Sequence, residues 1–264
     1  MAVELFNDGN HVCLAFYDLV DETGEHAVQS NQFLSVDGEH GALLDPGGNM
    51  THNGLLMGMQ RFFPSRNLDY IFASHADPDI IASLNKWMIT THCKVLISQL
   101  WVRFLPHFTT GRDYSTRTIS IPDEGLIVPL GKSQIAAVPA HFMHSEGNFQ
   151  FYDIRSKILF SGDMGTSLLD HEQAAKPVTD FSSHIKYMNG FHSRYMISNK
   201  ICRYWVNMVR QLDIEMIVPQ HGARFEGKPM VNAFLNWIEN LPCGIDLMTQ
   251  ENYRLPGAGN RAPG

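Results

Sequence analysis

Several functional classes are marked by features this sequence lacks. Its four cysteines, Cys13, Cys93, Cys202 and Cys243, are scattered and form no CxxC pair. That spacing argues against an iron–sulfur cluster or a disulfide framework, and a reducing cytoplasm is expected. No apolar run approaches the length of a membrane span, and the N-terminus carries no signal-peptide pattern, so neither insertion nor secretion is expected. Basic runs are missing as well. With a formal net charge of -7, the chain is not expected to bind nucleic acid. Internal repeats, low-complexity blocks and obvious linkers are absent.

What is present describes a globular chain. Over 264 residues, 44% are hydrophobic and 18% charged, enough for one domain with a sizeable core. Strands joined by turns are expected over 11–20 and 28–45, with turn signals at Gly24 and at Asp37-Gly38-Glu39-His40-Gly41. A helix is expected from Thr51 to Phe63, with Leu55, Leu56, Met59 and Phe62 on one face. Leu68 to Ala73 reads as a buried strand and Ile80 to Met88 as a helix. Lys94–Ile97 reads as a strand and Gln99 to Leu105 as a short helix. Further strands are expected at Arg117–Ile121, Gln134–Val138, Phe149–Tyr152 and Lys157–Phe160, the last two joined by a turn at Asp153–Ser156. Residues 180–212 read as helical, Ile214–Val218 as a strand and Pro229–Leu241 as a last helix. This order fits a single α/β domain over residues 1–254, with two sheets packed together and helices outside. The tail over 255–264 is expected to be disordered.

The chemistry concentrates at strand ends. Ser74-His75-Ala76-Asp77-Pro78-Asp79 places one imidazole and two carboxylates on the turn leaving a strand, where α/β folds build their sites. Asp77-Pro78 also makes an ordinary helix start, with Asp as N-cap and Pro at the first position. Downstream, Val138-Pro139-Ala140-His141-Phe142-Met143-His144 places two histidines after a strand. Phe160-Ser161-Gly162-Asp163 places an aspartate, and Val218-Pro219-Gln220-His221-Gly222 a histidine. One such residue alone is usually a cap or a satisfied surface group. Four strand ends carrying only metal-ligand types point to a metal site.

The order His-x-carboxylate-x-Asp, then His, then Asp, then His resembles the metallo-β-lactamase fold. A carboxylate at Asp77, where hydrolytic members have a second histidine, resembles the flavodiiron proteins and the oxygen-binding di-iron proteins. The step to Asp163 selects His144 over His141. The resemblance implies a four-layer αβ/βα sandwich with a dinuclear iron site along one edge. It implies metal 1 on His75, Asp77 and His144, metal 2 on Asp79 and His221, and Asp163 bridging both. Three carboxylates with three imidazoles suit iron or manganese better than a His-rich zinc centre does.

The implied function is a non-haem di-iron protein that binds or senses O2, with NO or peroxide as other candidate ligands and a signalling or electron-transfer protein as partner. The alternatives are an O2 or NO reductase subunit fed by a separate donor and a dinuclear zinc hydrolase. A homodimer stays open. Two departures from the family stand out. Ile80 occupies the place of the first motif's last histidine, which would leave metal 2 with an open position unless a residue such as His141 substitutes. No phosphate loop for FMN is evident. Trp87, Trp101, Trp205 and Phe191 are expected in the core. Met143 and Met164 beside the ligands suggest a small gas pocket, and the loop-like stretch Tyr187–Gly190, flanked by His184 and His192, a wall of it.

Overall fold

A computed structural model describes residues 2–17, 19, 28–111 and 113–257. Among the described residues the strands form two sheets. The first takes β1 (Ala2–Asn7), β2 (His11–Phe16), β3 (Gln32–Asp37), β4 (His40–Leu44), β5 (Leu68–Phe72), β6 (Lys94–Ser98) and β7 (Thr118–Ile121), side by side in that order. The second takes β8 (Leu126–Leu130), β9 (Ser133–Pro139), β10 (Phe149–Asp153), β11 (Ile158–Phe160), β12 (Met216–Val218) and β13 (Phe225–Glu226), in the order β13-β12-β11-β10-β9-β8. Pairing is antiparallel from β1 to β4 and parallel from β4 to β7, and in the second sheet only β11 and β12 run parallel.

The helices are α1 (His52–Met59), α2 (Pro78–Ile81), α3 (Leu84–Thr90), α4 (Gln99–Val102), α5 (Leu105–Phe108), α6 (His171–Ala174), α7 (Phe181–Tyr195), α8 (Asn199–Val209) and α9 (Lys228–Glu239). Three apolar layers hold the arrangement together. Phe33, Phe72, Phe149, Phe151 and Phe160 fill the space between the sheets. Leu14, Phe16, Leu55, Ile80 and Trp87 seal the outer face of the first sheet under α1 to α3. Met188, Trp205, Phe225 and Phe234 do the same for the second sheet under α7 to α9. Helix, sheet, sheet, helix is the expected αβ/βα sandwich of the metallo-β-lactamase type. No helix among the described residues is long and apolar enough to cross a membrane.

The structure corrects several expected boundaries. The stretch Ile80–Met88 is broken into α2 and α3, where the Ser83 N–H leaves the helical ladder and donates to the Gly47 carbonyl at 3.3 Å, while its hydroxyl donates to the carbonyls of Pro46 and Gly47 at 3.1 and 2.6 Å. Gln99–Leu105 becomes the two short turns α4 and α5. The 180–212 stretch divides into α7 and α8, where Met196 turns extended and is buried. Tyr187–Gly190 lies inside α7 and is not a loop. His184, Met188 and His192 recur at helical spacing and are all buried, so packing onto the second sheet overrides the Asn-Gly turn signal. Phe62 lies beyond the end of α1 and is 51% exposed, whereas Leu55 and Met59 are buried. The edge strands β1, β8 and β13 lie beyond the expected strands, and Pro129 in β8 obscures that strand. The Gly24 turn and residues 258–264 of the expected disordered tail lie outside the described residues.

Candidate metal centre

The six predicted ligand residues converge at one edge of the sandwich. His75 follows β5, His144 follows β9, Asp163 follows β11 and His221 follows β12, so each sits just past a carboxyl end. Asp77 is the N-cap residue of α2 and Asp79 lies in its first turn. Asp77 offers no cap hydrogen bond, so its carboxylate is free to face the histidines.

Asp163 lies at the centre of the cluster. Its Oδ2 is 2.8 Å from Nε2 of His144 and 3.6 Å from Nε2 of His75. Asp77 Oδ2 joins the same group, 3.3 Å from His144 and 3.5 Å from His75. The other oxygen of Asp163, Oδ1, is 3.5 Å from Nε2 of His221, which also faces Asp79 Oδ2 at 3.2 Å. One carboxylate therefore touches two ligand groups, one through each oxygen. His144 Nε2 and Asp163 Oδ1 are buried with no hydrogen-bond partner. Buried polar atoms normally have one, so donors this close without hydrogen-bond alignment suit ligands aimed at shared cations.

Neighbouring groups fix the rings. The His75 ring meets Ser74 Oγ through Nδ1 at 3.0 Å, and Ser74 N–H donates to Asp45 Oδ1 at 2.8 Å. Nδ1–H of His221 donates to the Gln29 carbonyl at 2.6 Å. Asn31 donates to the carbonyls of Pro219 and Gly222 at 2.9 and 3.0 Å, holding the turn that carries His221. Gly222 needs its lack of Cβ, since its φ is +82° and a Cβ would strike Ser167. In each ring Nε2 is left facing the cluster, the arrangement by which outer partners orient metal-ligating histidines.

The carboxylates dominate the electrostatics. Burial opposes protonation of His144 and His221, but Asp163 with Asp77 raises the former to about 10 and Asp79 with Asp163 raises the latter to about 8. His75 is raised for the same reason. The imidazoles of His144 and His75 beside it hold Asp77 well below the usual carboxylate range. Asp163 is also lowered, because the surrounding imidazoles outweigh its burial. Metal binding would replace these protons.

Two cavities flank His144. One of about 400 Å³ is lined by Asp77, Trp101, Phe104, Phe108 and Glu146. The other, about 610 Å³, is lined by Phe142, Tyr195, Ile197, Ile245 and Tyr253. Phe191 and Tyr195 stack at 4.7 Å and present their rings to His144 at 6.0 and 5.5 Å. Trp87 and Trp205 are core, whereas Trp101 and Phe191 are partly buried, pack against the core layers and also face the site.

Other expectations are corrected. Met143 and Met164 are fully buried in the core under α7 to α9 and line neither of the two cavities. Ile80 is fully buried in the apolar layer under the first sheet, and its hydrocarbon side chain offers no ligand atom in place of the motif's last histidine. His141 does not substitute for it, since its Nε2–H donates to the Asp123 carbonyl at 2.9 Å. His192 is sealed from the cavities, with Nδ1–H donating to the Met188 carbonyl and Nε2 accepting from Gly165 N–H. Sequence reasoning missed Gln29, Asn31, Ser74 and Asp45. Of these only Ser74 and Asp45, beside turn motifs, carried any local signal.

Comparison with known proteins places the chain in a family. Residues 28–222 match the family described as ODP family beta lactamase. A solved structure of a chemotaxis sensor ODP in a peroxy diiron form is 42% identical, covers 95% of this chain and 98% of its own, and superposes with a TM-score of 0.83. The apo state of that sensor from T. denticola gives 0.84 at the same 42% identity, with 96% and 98% covered. The rubredoxin oxygen:oxidoreductase of Desulfovibrio gigas shares the fold with a TM-score of 0.76 at 16% identity, over 90% of this chain and 61% of its own. An uncharacterised protein of Methanocaldococcus jannaschii is 23% identical over 195 residues, 73% of this chain, and the chain spans 48% of that relative's length.

Proposed function

We propose, from the premise that this chain belongs to the ODP family of beta lactamases, that it is a non-haem di-iron protein that binds and senses O2. One observation carries the reading. The two oxygens of Asp163 face two separate ligand groups, at 2.8 Å toward His144 and 3.5 Å toward His221. His75, Asp77 and His144 would hold one iron, Asp79 and His221 the other, with Asp163 between them. The mixed imidazole and carboxylate set suits ferrous and ferric iron. The similar chemotaxis sensor, solved as a peroxy diiron species, supports the choice of metal and ligand.

The site residues have distinct roles. Bound iron would supply electrons to O2, two from a ferrous pair. Asp163 would present one oxygen to each ion, the Gln29 carbonyl holds the His221 ring with Nε2 toward the cluster, and Ser74 orients the His75 ring. The Phe191–Tyr195 stack and Trp101 border the approach to His144 with apolar surface, which favours a small uncharged gas over a charged substrate. A signalling partner reads the oxidation state by binding one form better, for which a preference of about 1–3 kcal/mol is enough.

The experiment is metal analysis of anaerobically purified protein, followed by an absorption spectrum on addition of O2. Two irons per chain and a new oxygen-dependent band are expected. Zinc alone, in protein expressed with iron supplied, would overturn the reading in favour of a hydrolase.

A further inference from the structure

A second cluster of metal-ligand residues lies at the opposite end of the strands, between the two sheets. His11 opens β2 and pairs with Asp37 at the end of β3, and Cys13 pairs with Ser35. Asp153 closes β10 of the other sheet. His11, Cys13, Ser35 and Asp153 are all fully buried. Four of their atoms, His11 Nε2, Cys13 Sγ, Ser35 Oγ and Asp153 Oδ2, form a closed tetrahedron. Its edges are 2.9 Å from His11 to Asp153, 3.6 Å from His11 to Cys13 and 3.5 Å from His11 to Ser35. The remaining edges are 3.7 Å from Cys13 to Asp153, 3.8 Å from Cys13 to Ser35 and 2.7 Å from Ser35 to Asp153.

We infer that these four side chains form a structural site for one divalent cation of the zinc type, separate from the dinuclear centre. Zinc bonds of about 2.0–2.3 Å place tetrahedral ligands roughly 3.3–3.7 Å apart. The cluster brackets that range, with its oxygen edges short and its sulfur edges long, as the different bond lengths require. The edges also match those of the centre described above, which run from 2.8 to 3.6 Å. One thiolate, one imidazole and one carboxylate are a borderline-soft set that favours zinc over iron, calcium or magnesium.

The outer partners of the cluster are those a ligated site needs. Nδ1 of His11 meets Asp37 Oδ1 at 3.2 Å, and Arg155 donates to that same oxygen at 3.0 Å. This carboxylate–histidine pair fixes the ring so that Nε2 faces Cys13 and Asp153. The other oxygen of Asp153 accepts the backbone N–H groups of Arg155 and Ser156 at 3.2 and 3.0 Å, so only Oδ2 is presented inward. Loading displaces the proton on the Cys13 thiol and any proton on His11 Nε2. Thiolate and carboxylate then neutralise the two charges of the cation inside the sandwich. The bound ion would tie β2 and β3 of the first sheet to β10 of the second.

Sulfur makes the site separately readable, because the dinuclear centre has none. The full chain, depleted by chelator, is titrated with Co2+ alone. A thiolate-to-cobalt charge-transfer band in the near ultraviolet is expected, with the strong visible bands of tetrahedral Co2+, and Zn2+ should bleach both. The sulfur band should persist in Asp163→Ala and in Cys202→Ser, and vanish in Cys13→Ser. If the wild-type chain shows no sulfur band, or if Cys202→Ser abolishes it, the inference fails, and the cluster is a metal-free network in which His11 bridges Asp37 and Asp153. The decisive signal comes from the wild-type chain, so the test survives a variant that does not fold.

Discussion

Raising the pH should destabilise the metal-free protein and leave the metal-loaded protein far less affected. In the folded chain His221 is raised from 6.5 to about 8. A group whose folded pKa lies above its unfolded value adds stability that is fully present below the unfolded pKa and is lost as pH rises through the folded one. For His221 alone the full contribution is ~2 kcal/mol, of which ~1.5 kcal/mol disappears between pH 6.5 and 8.5. His144, raised to about 10, keeps its proton throughout this window while the unfolded chain loses it. Its loss is of the same sign, discounted because the ring opens toward solvent. His75 and His11 are also raised and act in the same direction. Other shifted groups are nearly flat here. Asp45, raised to about 6 by burial, has almost finished titrating, and neutral His192, lowered to about 4, acts only at lower pH. Urea unfolding of chelator-treated protein at pH 6.5, 7.5 and 8.5 measures the slope. Bound metal needs the same rings deprotonated, so the slope should flatten or reverse on loading. A metal-free stability that holds constant or rises across the window would refute the assignment of three carboxylate-bound imidazoles to one cluster.

Four further outcomes are expected. Asp163→Ala should lose both irons, whereas His221→Ala should lose mainly the one it shares with Asp79, as read by metal analysis. Asn31→Ala should loosen the turn carrying His221 and weaken metal affinity by roughly 10–100-fold, the usual cost of removing an outer partner, measured by competition with a chelator. Ile80→His should restore the motif's last histidine as a fourth imidazole at the centre and change the decay of the oxygen-dependent absorption band; a band whose spectrum and decay are unchanged would show that position 80 does not control the site. Ferrous protein should react with O2 once and then hold its oxidised state, showing negligible steady-state consumption at an oxygen electrode with NADH alone. Sustained consumption with a flavodoxin or rubredoxin donor would favour a reductase.

The sequence by itself determined where the ligand chemistry lies. Apolar runs ending in His75, Asp163 and His221 are local patterns, because strand burial and turn chemistry are both written in neighbouring residues. The choice of His144 over His141 was also legible, through its step to Asp163, and the structure explains it by committing His141 to the Asp123 carbonyl. Tertiary structure decided how the pieces serve one another. Only the packed fold brings the Gln29 carbonyl and Asn31 to His221, because hydrogen bonds between distant segments leave no local periodicity. It carries α7 straight through Tyr187–Gly190, since burial of Met188 and His192 outweighs a weak local turn preference. The His11, Cys13, Ser35 and Asp153 tetrahedron was invisible for the same reason. Each of its residues looks like an ordinary strand position, and only the pairing of β2 with β3 and the packing of β10 across them draw the four together.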